Sequence, residues 1–444
     1  MARIAPLSGF PEWLPADRRV ESAVLAHVRH VFELHGFAEI DTRAVEPVER
    51  LLSKGETSKE IYLLRRLQEE TGGADEGGLG LHFDLTVPFA RYVLENAGRL
   101  NFPFKRYQIQ KVWRGERPQE GRYREFTQAD IDVVGAGTLP FHYEVELPLV
   151  MAEALTGLQQ FGVPPVRVLV NNRKVSQGFY EGLGITDVDG VLRTIDKLDK
   201  IGPDRVRQAL QQDNELTADQ AQGCLDLAGI AGTDIADRVR ALGVSSPLLE
   251  EGLEELTTLL EAAQHRMPEV VQADLRIARG LDYYTGTVYE TLLAGHEDLG
   301  SVCSGGRYDS LASDGKNTYP GVGLSIGVTR LLSRVLGKQL AQATRGVPTA
   351  VLVAVTDEDH RAGSDDVAQA LRTRGIPTDV APTAAKFGKQ IRFADRRGIP
   401  FVWFVTGEGH EVKDIRSGDQ VPTDPHTWTP PHEDLWPQVV RPSQ

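Results

Sequence analysis

Arg122, Arg124, Phe126, Gln128, Asp130 and Asp132 follow one another at intervals of two, and together they are the residues of this sequence best placed to do chemistry. On an extended strand they would share one face, because side chains alternate with period two. Thr127, Ala129, Ile131 and Val133 would make the opposite, apolar face. A row of guanidinium, aromatic, amide and carboxylate groups suits a ligand that is anionic, planar and partly cationic. A nucleoside triphosphate together with an amino acid has those properties. The plainer alternative is a set of solvated charges on an edge hairpin.

The row needs a partner strand. Lys105 to Gly135 reads as two strands and a turn: Val112 and Trp113 close the first, Arg114 to Gly121 is rich in turn formers, and Phe126 to Val134 resumes the alternation. In Leu81 to Arg91, Asp84 and Thr86 stand two apart. On a strand they point to the same side, where a carboxylate and a hydroxyl could hold an ammonium group; an edge strand turning at Pro88 is the alternative. Within Leu275 to Glu290, Arg279 would need a charge partner if buried, and a phosphate could supply one. Tyr283 and Tyr284 have the alternative of interior aromatics with satisfied hydroxyls. Gly321 to Arg330 contains GVGLSIG, which lacks the βαβ context of a dinucleotide-binding turn, and no Gly-Lys precedes Ser or Thr. Any ATP would therefore have to be held by arginines.

With 444 residues, 41% hydrophobic and 25% charged, the chain has the composition of a globular protein of two or three domains. No apolar run is long enough to span a bilayer, and MARIAPLSGFPEWLPADRR lacks the order of a secretory signal, so a cytoplasmic location and no membrane partner are expected. Cys224 and Cys303 are the cysteines; they support neither a disulfide framework nor a structural zinc and are expected to be buried. No metal ligands are assigned. A net charge of −14 argues against a generic nucleic-acid binder, although a local basic strip can still bind RNA on an acidic protein.

Asp17 to His35 has the apolar stripe of a helix (Val20, Val24, Val28, Val31, Phe32), with Asp17 as N-cap and Gly36 as stop. His27, His30 and His35 on it have no further converging ligand and are expected to be structural. Phe37 to Val45 reads as extended, Arg65 to Gly80 as a polar, glycine-rich loop, Phe141 to Phe161 as a helix and Val166 to Val170 as a strand. Asn171 to Val271 is helical in character, with a capping box at Thr217 to Gln220, a capped first-turn proline at Ser246-Pro247, and Leu249, Leu253, Leu256 and Leu260 at helical spacing. That stretch holds ten Lys plus Arg against eighteen Asp plus Glu, a net of −8. After a polar linker, Lys338 to Gly346, strands at Val351 to Val355, Thr378 to Val380, Phe401 to Val405 and Glu411 to Arg416 alternate with helices at Asp365 to Arg374 and Phe387 to Arg397. Such alternation implies a small, largely parallel sheet covered on both faces. Lys386, Lys389, Arg392, Arg396 and Arg397 make its second helix basic; a solvated face is the ordinary explanation of such a run.

RGERPQEGRYREFTQADIDVVG (114–135) resembles motif 2 of the class II aminoacyl-tRNA synthetases in its histidyl form. LHFDLTVPFAR (81–91), RGLDYYTGTVYE (279–290), SVCSGGRYD (301–309) and GVGLSIGVTR (321–330) are similar to other segments of histidyl-tRNA synthetases, the last to motif 3. KFGKQIRFADRRGIPFVWFV and EVKDIRSGDQ resemble the C-terminal anticodon-binding domain of that family. In motif 1 the expected proline stands as Arg43, with Pro47 shortly after.

The resemblance implies an α/β protein: an α+β catalytic domain with an antiparallel sheet of class II synthetase type, a helical insertion and a C-terminal α/β anticodon-binding domain. The boundaries are 1–170 and 272–337 for the catalytic core, 171–271 for the insertion, 338–346 for the linker and 347–444 for the last domain. It further implies ATP as substrate with Mg²⁺, L-histidine and tRNA(His) as partners, and a homodimer. Arg114 and Arg279 would be catalytic. Asp84, Thr86, Arg114, Gln128, Asp132, Arg279, Tyr283 and Tyr284 would bind histidine, with Asp132 and Tyr284 on the ring. Arg114, Glu116, Arg122, Phe126 and Arg330 would bind ATP, Phe126 stacking on adenine. Lys386, Lys389, Arg392, Arg396 and Arg397 would contact tRNA. Two rival classes are a histidine-sensing regulatory paralogue of ATP phosphoribosyltransferase, which usually loses those arginines and the C-terminal domain, and a sensor of uncharged tRNA.

Overall fold

The computed structural model describes residues 5–52, 60–66, 78–278, 284–407 and 409–442. The chain forms two compact units. One comprises Met1–Pro11, His27–Gln159 and Pro164–Arg334, and the other Glu12–Ala26, Gln160–Val163 and Val335–Gln444.

The first unit is built on a nine-stranded sheet. Its order is Ala38–Glu39, Phe104–Trp113, Glu125–Val134, Gly321–Gly327, Cys303–Tyr308, Thr287–Leu293, Val166–Asn172, Val271–Asp274 and Ala231–Gly232. All neighbours are antiparallel except the first pair and the pair Val166–Asn172 with Val271–Asp274. The hairpin forms where the alternation predicts it, and its register sets Arg106 opposite Asp132, Gln108 opposite Asp130 and Gln110 opposite Gln128. On the other flank, Gly323 stands opposite Asp132, Ser325 opposite Asp130 and Gly327 opposite Gln128. The polar row thus lies between a strand of long polar side chains and a strand of very small ones.

Parallel neighbours need a crossover connection, and here it is the chain from Arg173 to Arg266, seven helices and the short strand Ala231–Gly232. Asn172 caps the first helix through Lys174 N. Thr217 and Gln220 form the capping box, and Ser246 Oγ accepts from Leu249 N at 3.1 Å to start the long helix Pro247–Arg266. Leu249, Leu253, Leu256 and Leu260 of that helix are all buried. Glu144 on the helix His142–Gly157 pins two strands: it accepts from Thr287 N at 2.9 Å, from Thr287 Oγ1 at 2.7 Å and from Arg307 Nη1 at 2.8 Å.

Three local expectations are corrected. Asp84 and Thr86 do not share a strand: Thr86 begins the helix Thr86–Asn96. Asp84 precedes that helix and accepts from Val87 N at 3.0 Å. Pro88 sits in the first turn, where its missing N–H costs no hydrogen bond. The first helix runs Pro15–Leu34, so Asp17 lies inside its first turn rather than capping it. The polar loop ends earlier than Gly80, because Leu79–Leu81 is a strand paired with Val45–Pro47 and Leu63–Leu64; residues 67–77 lie outside the described residues. Arg43, at the place of the motif 1 proline, reaches Glu46 at 3.1 Å.

In the second unit a five-stranded sheet has the order Thr378–Val380, Val351–Val353, Phe401–Thr406, Gly409–Asp414, Gln420–Thr423. The first three strands are parallel and the last two antiparallel. Helices Arg361–Thr373 and Phe387–Arg396 join the parallel strands. The tail carries structure that its sequence did not announce. Trp428 packs on Phe401 and Trp403, with ring centroids 5.3 and 5.6 Å away, and Asp434 takes both terminal nitrogens of Arg416, at 2.7 and 2.8 Å. Nor is 338–346 wholly a linker, since Gln342–Ala343 pairs with Val439–Val440. Among the described residues no helix is long and apolar enough to cross a membrane.

Candidate active site

Burial decides between the two readings of the polar row. Gln128, Asp130 and Asp132 are 7%, 3% and 2% exposed, so they are not a solvated edge. Polar groups removed from water this completely need partners or a ligand. The row runs along two adjoining cavities whose shared wall includes Ser304 and Ser325.

The first cavity, of about 110 Å³, is lined by Arg114, Glu116, Arg122, Phe126, Gln128 and Arg330, together with Tyr123 and the start of the strand Cys303–Tyr308. Arg114 is aimed by its own side chain: Nε donates to Phe83 O at 2.9 Å, and the guanidinium lies 5.1 Å from the centre of the Phe126 ring. Arg330 sits in the first turn of the helix Val328–Gly337, directly after the strand Gly321–Gly327. It donates to Gly121 O at 2.8 Å and to Ser301 O at 2.6 Å. Those two bonds tie the hairpin turn to the motif 3 helix and fix the guanidinium at the cavity. Arg122 is exposed and faces Glu116 at 3.8 Å. Arg334, one turn on from Arg330, reinforces the same junction through Asp298 at 2.8 Å and Glu120 at 3.2 Å. Three guanidinium groups and an aromatic face around one hollow are what a nucleoside polyphosphate requires.

The second cavity is lined by Thr86, Asp130, Asp132, Tyr284, Tyr308 and the small residues Ser304, Gly305, Gly323 and Ser325. Asp132 is held from two sides. Arg106 Nη2 lies 2.5 Å from Oδ2, and the Tyr308 hydroxyl donates to Oδ1 at 2.7 Å. Arg106 is itself wholly buried, its guanidinium 4.3 Å from the centre of the Phe89 ring. Two glycines leave the room. A Cβ on Gly323 would lie 2.0 Å from Asp132 Oδ1, and one on Gly306 would lie 2.7 Å from Tyr284 Cγ. Burial raises the carboxyl of Asp130 to a pKa of about 7, with Arg106 opposing and Asp132 adding to the rise.

The structure therefore brings Arg114, Glu116, Arg122, Phe126, Gln128 and Arg330 to one cavity and Thr86, Asp132 and Tyr284 to the next. Asp84 is buried and accepts from Val87 N in the first turn of a helix rather than lining either cavity. Arg279 and Tyr283 lie outside the described residues. Sequence reading missed Arg106, Tyr308, Ser304 and Ser325 and gave Asp130 no role. Only Arg106 carried a usable signal, an arginine whose hairpin register places it across from an aspartate.

In the second unit, Lys386, Lys389, Arg392 and Arg396 are exposed, and their spacing puts them along one side of the helix Phe387–Arg396. Arg397 differs: it pairs with Asp379 at 3.0 Å and lies over Phe393.

Residues 9–331 match the family described as Histidyl-tRNA synthetase, and residues 349–421 match that described as Anticodon binding domain. A histidine–tRNA ligase of Cutibacterium acnes is 60% identical over 99% of both chains, and one of Micrococcus luteus is 58% identical over the same shares. The crystal structure of histidyl-tRNA synthetase from a Nostoc species, 35% identical, superposes with a TM-score of 0.84 over 95% of this chain and 97% of that one. A Bacillus halodurans structure described as an ATP phosphoribosyltransferase regulatory subunit/histidyl-tRNA synthetase shares the fold, with a TM-score of 0.70 at 20% identity over 87% of this chain and 94% of that one. With the family match covering most of its length, the adjoining cavities on the motif 2 strand and the second unit matching the anticodon module, the chain belongs to the histidyl-tRNA synthetase family.

Proposed function

We propose that this protein activates L-histidine with ATP to histidyl-adenylate and transfers the histidyl group to the 3′ end of tRNA(His), releasing AMP and diphosphate. The observation that carries this reading is the pair of cavities with a common wall: one ringed by Arg114, Arg122, Arg330 and Phe126, the other holding Asp132 and Tyr284. A carboxylate attacking an α-phosphate brings two anions together, so the site mainly supplies alignment and positive charge. Arg114, on the Phe126 side of the wall, bridges the histidine carboxylate and the α-phosphate. Phe126 stacks on adenine, Glu116 accepts from its amino group, and Arg122 and Arg330 take the outer phosphates. Thr86 and Gln128 hold the amino end of histidine, with Asp84 behind them. Asp132 and Tyr284 grip the imidazole, and a site built to hydrogen-bond a ring rejects amino acids that lack it. Arg279 and Tyr283 belong to the same reading through their motif.

Mg²⁺ keeps several waters and is held by one or two carboxylates plus substrate phosphates in nucleotide sites. Among the described residues no group of three or more His, Cys, Asp or Glu is placed to hold a metal ion. Glu116 is the cavity carboxylate that could reach an ion carried on the triphosphate, where the ion would neutralise phosphate charge. The exposed basic side of Phe387–Arg396 takes tRNA, with Arg397 instead holding the helix to Asp379. Residues 1–170 and 272–337 carry the chemistry, 171–271 supply the helical layer, and 347–444 read the tRNA. The active form is a homodimer in the cytoplasm.

Histidine-dependent exchange of pyrophosphate into ATP, followed by charging of tRNA, tests the reading. Wild-type protein should do both, and Asp132→Ala should lose exchange while keeping its fold by circular dichroism. Histidine binding without exchange in the wild type would favour the regulatory class and overturn this proposal.

A further inference from the structure

Asp130 has no part in the scheme above, yet it is walled into the same pocket. Around it stand Arg106 and Gln108 from one neighbouring strand, Ser325 from the other, Gln128 and Asp132 from its own, Asp84 from the segment before the helix Thr86–Asn96, and Cys303 from the strand beyond. Three of these groups, counting Asp130, are carboxylates. Among the described residues that surround it one is a cation, Arg106, and its Nη2 is committed to Asp132 at 2.5 Å.

Two buried acceptor atoms on this face have no hydrogen-bond partner among the described residues: Gln128 Oε1 and Asp130 Oδ1. Ser325 links the two side chains, accepting from Gln128 Nε2 at 2.7 Å and donating to the Asp130 carboxylate. The network fixes the orientation of the Gln128 amide, nitrogen toward Ser325, on the wall the two cavities share. An amide oxygen and a carboxyl oxygen, both buried, both without a partner among the described residues and joined through one serine, call for a donor, and beside three carboxylates a positively charged one bonds most strongly. The α-ammonium group of an amino acid is such a donor.

We propose that Asp130 is the proton-linked group of the amino-acid pocket: a carboxylic acid while the pocket is empty, and a carboxylate once the ammonium group of the ligand lies against it and Gln128. On binding, the O–H bond of Asp130 breaks, its electron pair stays on oxygen and the proton leaves to solvent. The ammonium then replaces that proton as the neutralising charge. The inference rests on the histidine-binding reading of this pocket. Its signs agree with burial holding the empty-site pKa at about 7, and it makes histidine affinity rise with pH through neutrality.

Isothermal titration of histidine into the full chain, repeated at pH 7 in buffers of different ionisation enthalpy, counts the protons released. Wild type should release about half a proton more than Asp130→Asn, the fraction of a group half-protonated at that pH. Between pH 6 and pH 8 its affinity should gain about tenfold over that of the Asn variant. Ser325→Ala keeps both carboxylates but removes a hydrogen bond that favours the ionised form, so its release step should move to higher pH. Equal proton counts in wild type and Asp130→Asn, or an unmoved step in Ser325→Ala, would overturn the proposal and leave histidine binding standing. Absence of histidine binding to the wild type would remove the reading of the pocket and the proposal with it.

Discussion

Replacing Arg106 by Met keeps most of the side-chain volume and removes the charge. Arg106 is fully buried and its partner Asp132 nearly so, with 2.5 Å between Nη2 and Oδ2. Deleting one partner of such a pair strands the other, at a cost of about 3–5 kcal/mol. For domains of 150–250 residues each kcal/mol moves the midpoint of melting by roughly 2–4 °C. This unit is larger, so the low end applies and a drop of about 6–10 °C is expected. The pH dependence has a definite sign. Asp130 already titrates near 7 because of burial, with Arg106 pulling it down, and losing Arg106 raises it further. A carboxyl whose folded pKa is raised costs stability as pH climbs from its unfolded value through the folded one. The deficit of Arg106→Met relative to wild type should therefore widen between pH 6 and pH 8.5. Adding Asp132→Asn should restore much of the loss, because removing both charges costs far less than removing one. Differential scanning calorimetry of the three proteins at both pH values measures all of this. A double variant no more stable than Arg106→Met, or a deficit that ignores pH, would refute the account of the pair.

Gly323→Ala places a methyl group 2.0 Å from Asp132 Oδ1. At about 1–3 kcal/mol for overpacking, the KM for histidine in pyrophosphate exchange should rise roughly 5- to 150-fold with the KM for ATP little changed; equal effects on both would contradict the two-cavity reading. On the basic helix, Lys389→Glu with Arg392→Glu should raise the KM for tRNA at least about tenfold at physiological salt and flatten its salt dependence. Exchange needs no tRNA and should stay at the wild-type rate, so a matching loss there would deny that helix its assigned partner.

The hairpin and the motif 3 strand could be read in advance because their constraints are local: alternation fixes which side chains share a face, and turn formers fix where the chain reverses. The start of the helix at Thr86 could not be. Leu81 to Arg91 is apolar enough for either structure, and the bond from Val87 N to Asp84 that accompanies the helix start exists only once the turn has formed. Arg106 was missed for a different reason. Its meaning comes from lying opposite Asp132, and that register depends on how many residues the long turn takes up. Asp130 stood in plain view on the polar row. Its significance comes from burial beside Arg106 across the hairpin and beside Ser325 and Cys303, which arrive from chain segments far away. The same holds for the tail, where Trp428 and Asp434 acquire partners only in three dimensions.

The placement of Glu125–Val134 beside Gly321–Gly327 also bears on how the protein is made. Roughly 190 residues must be synthesised between one strand and the next, which takes on the order of 10–40 s at ribosomal speed. Throughout that interval the nascent hairpin presents an unsatisfied edge bearing Gln128, Asp130 and Asp132. Carboxylates on that edge are poor partners for a neighbouring chain, so the same groups that later grip a ligand would guard the unfinished polypeptide against aggregation.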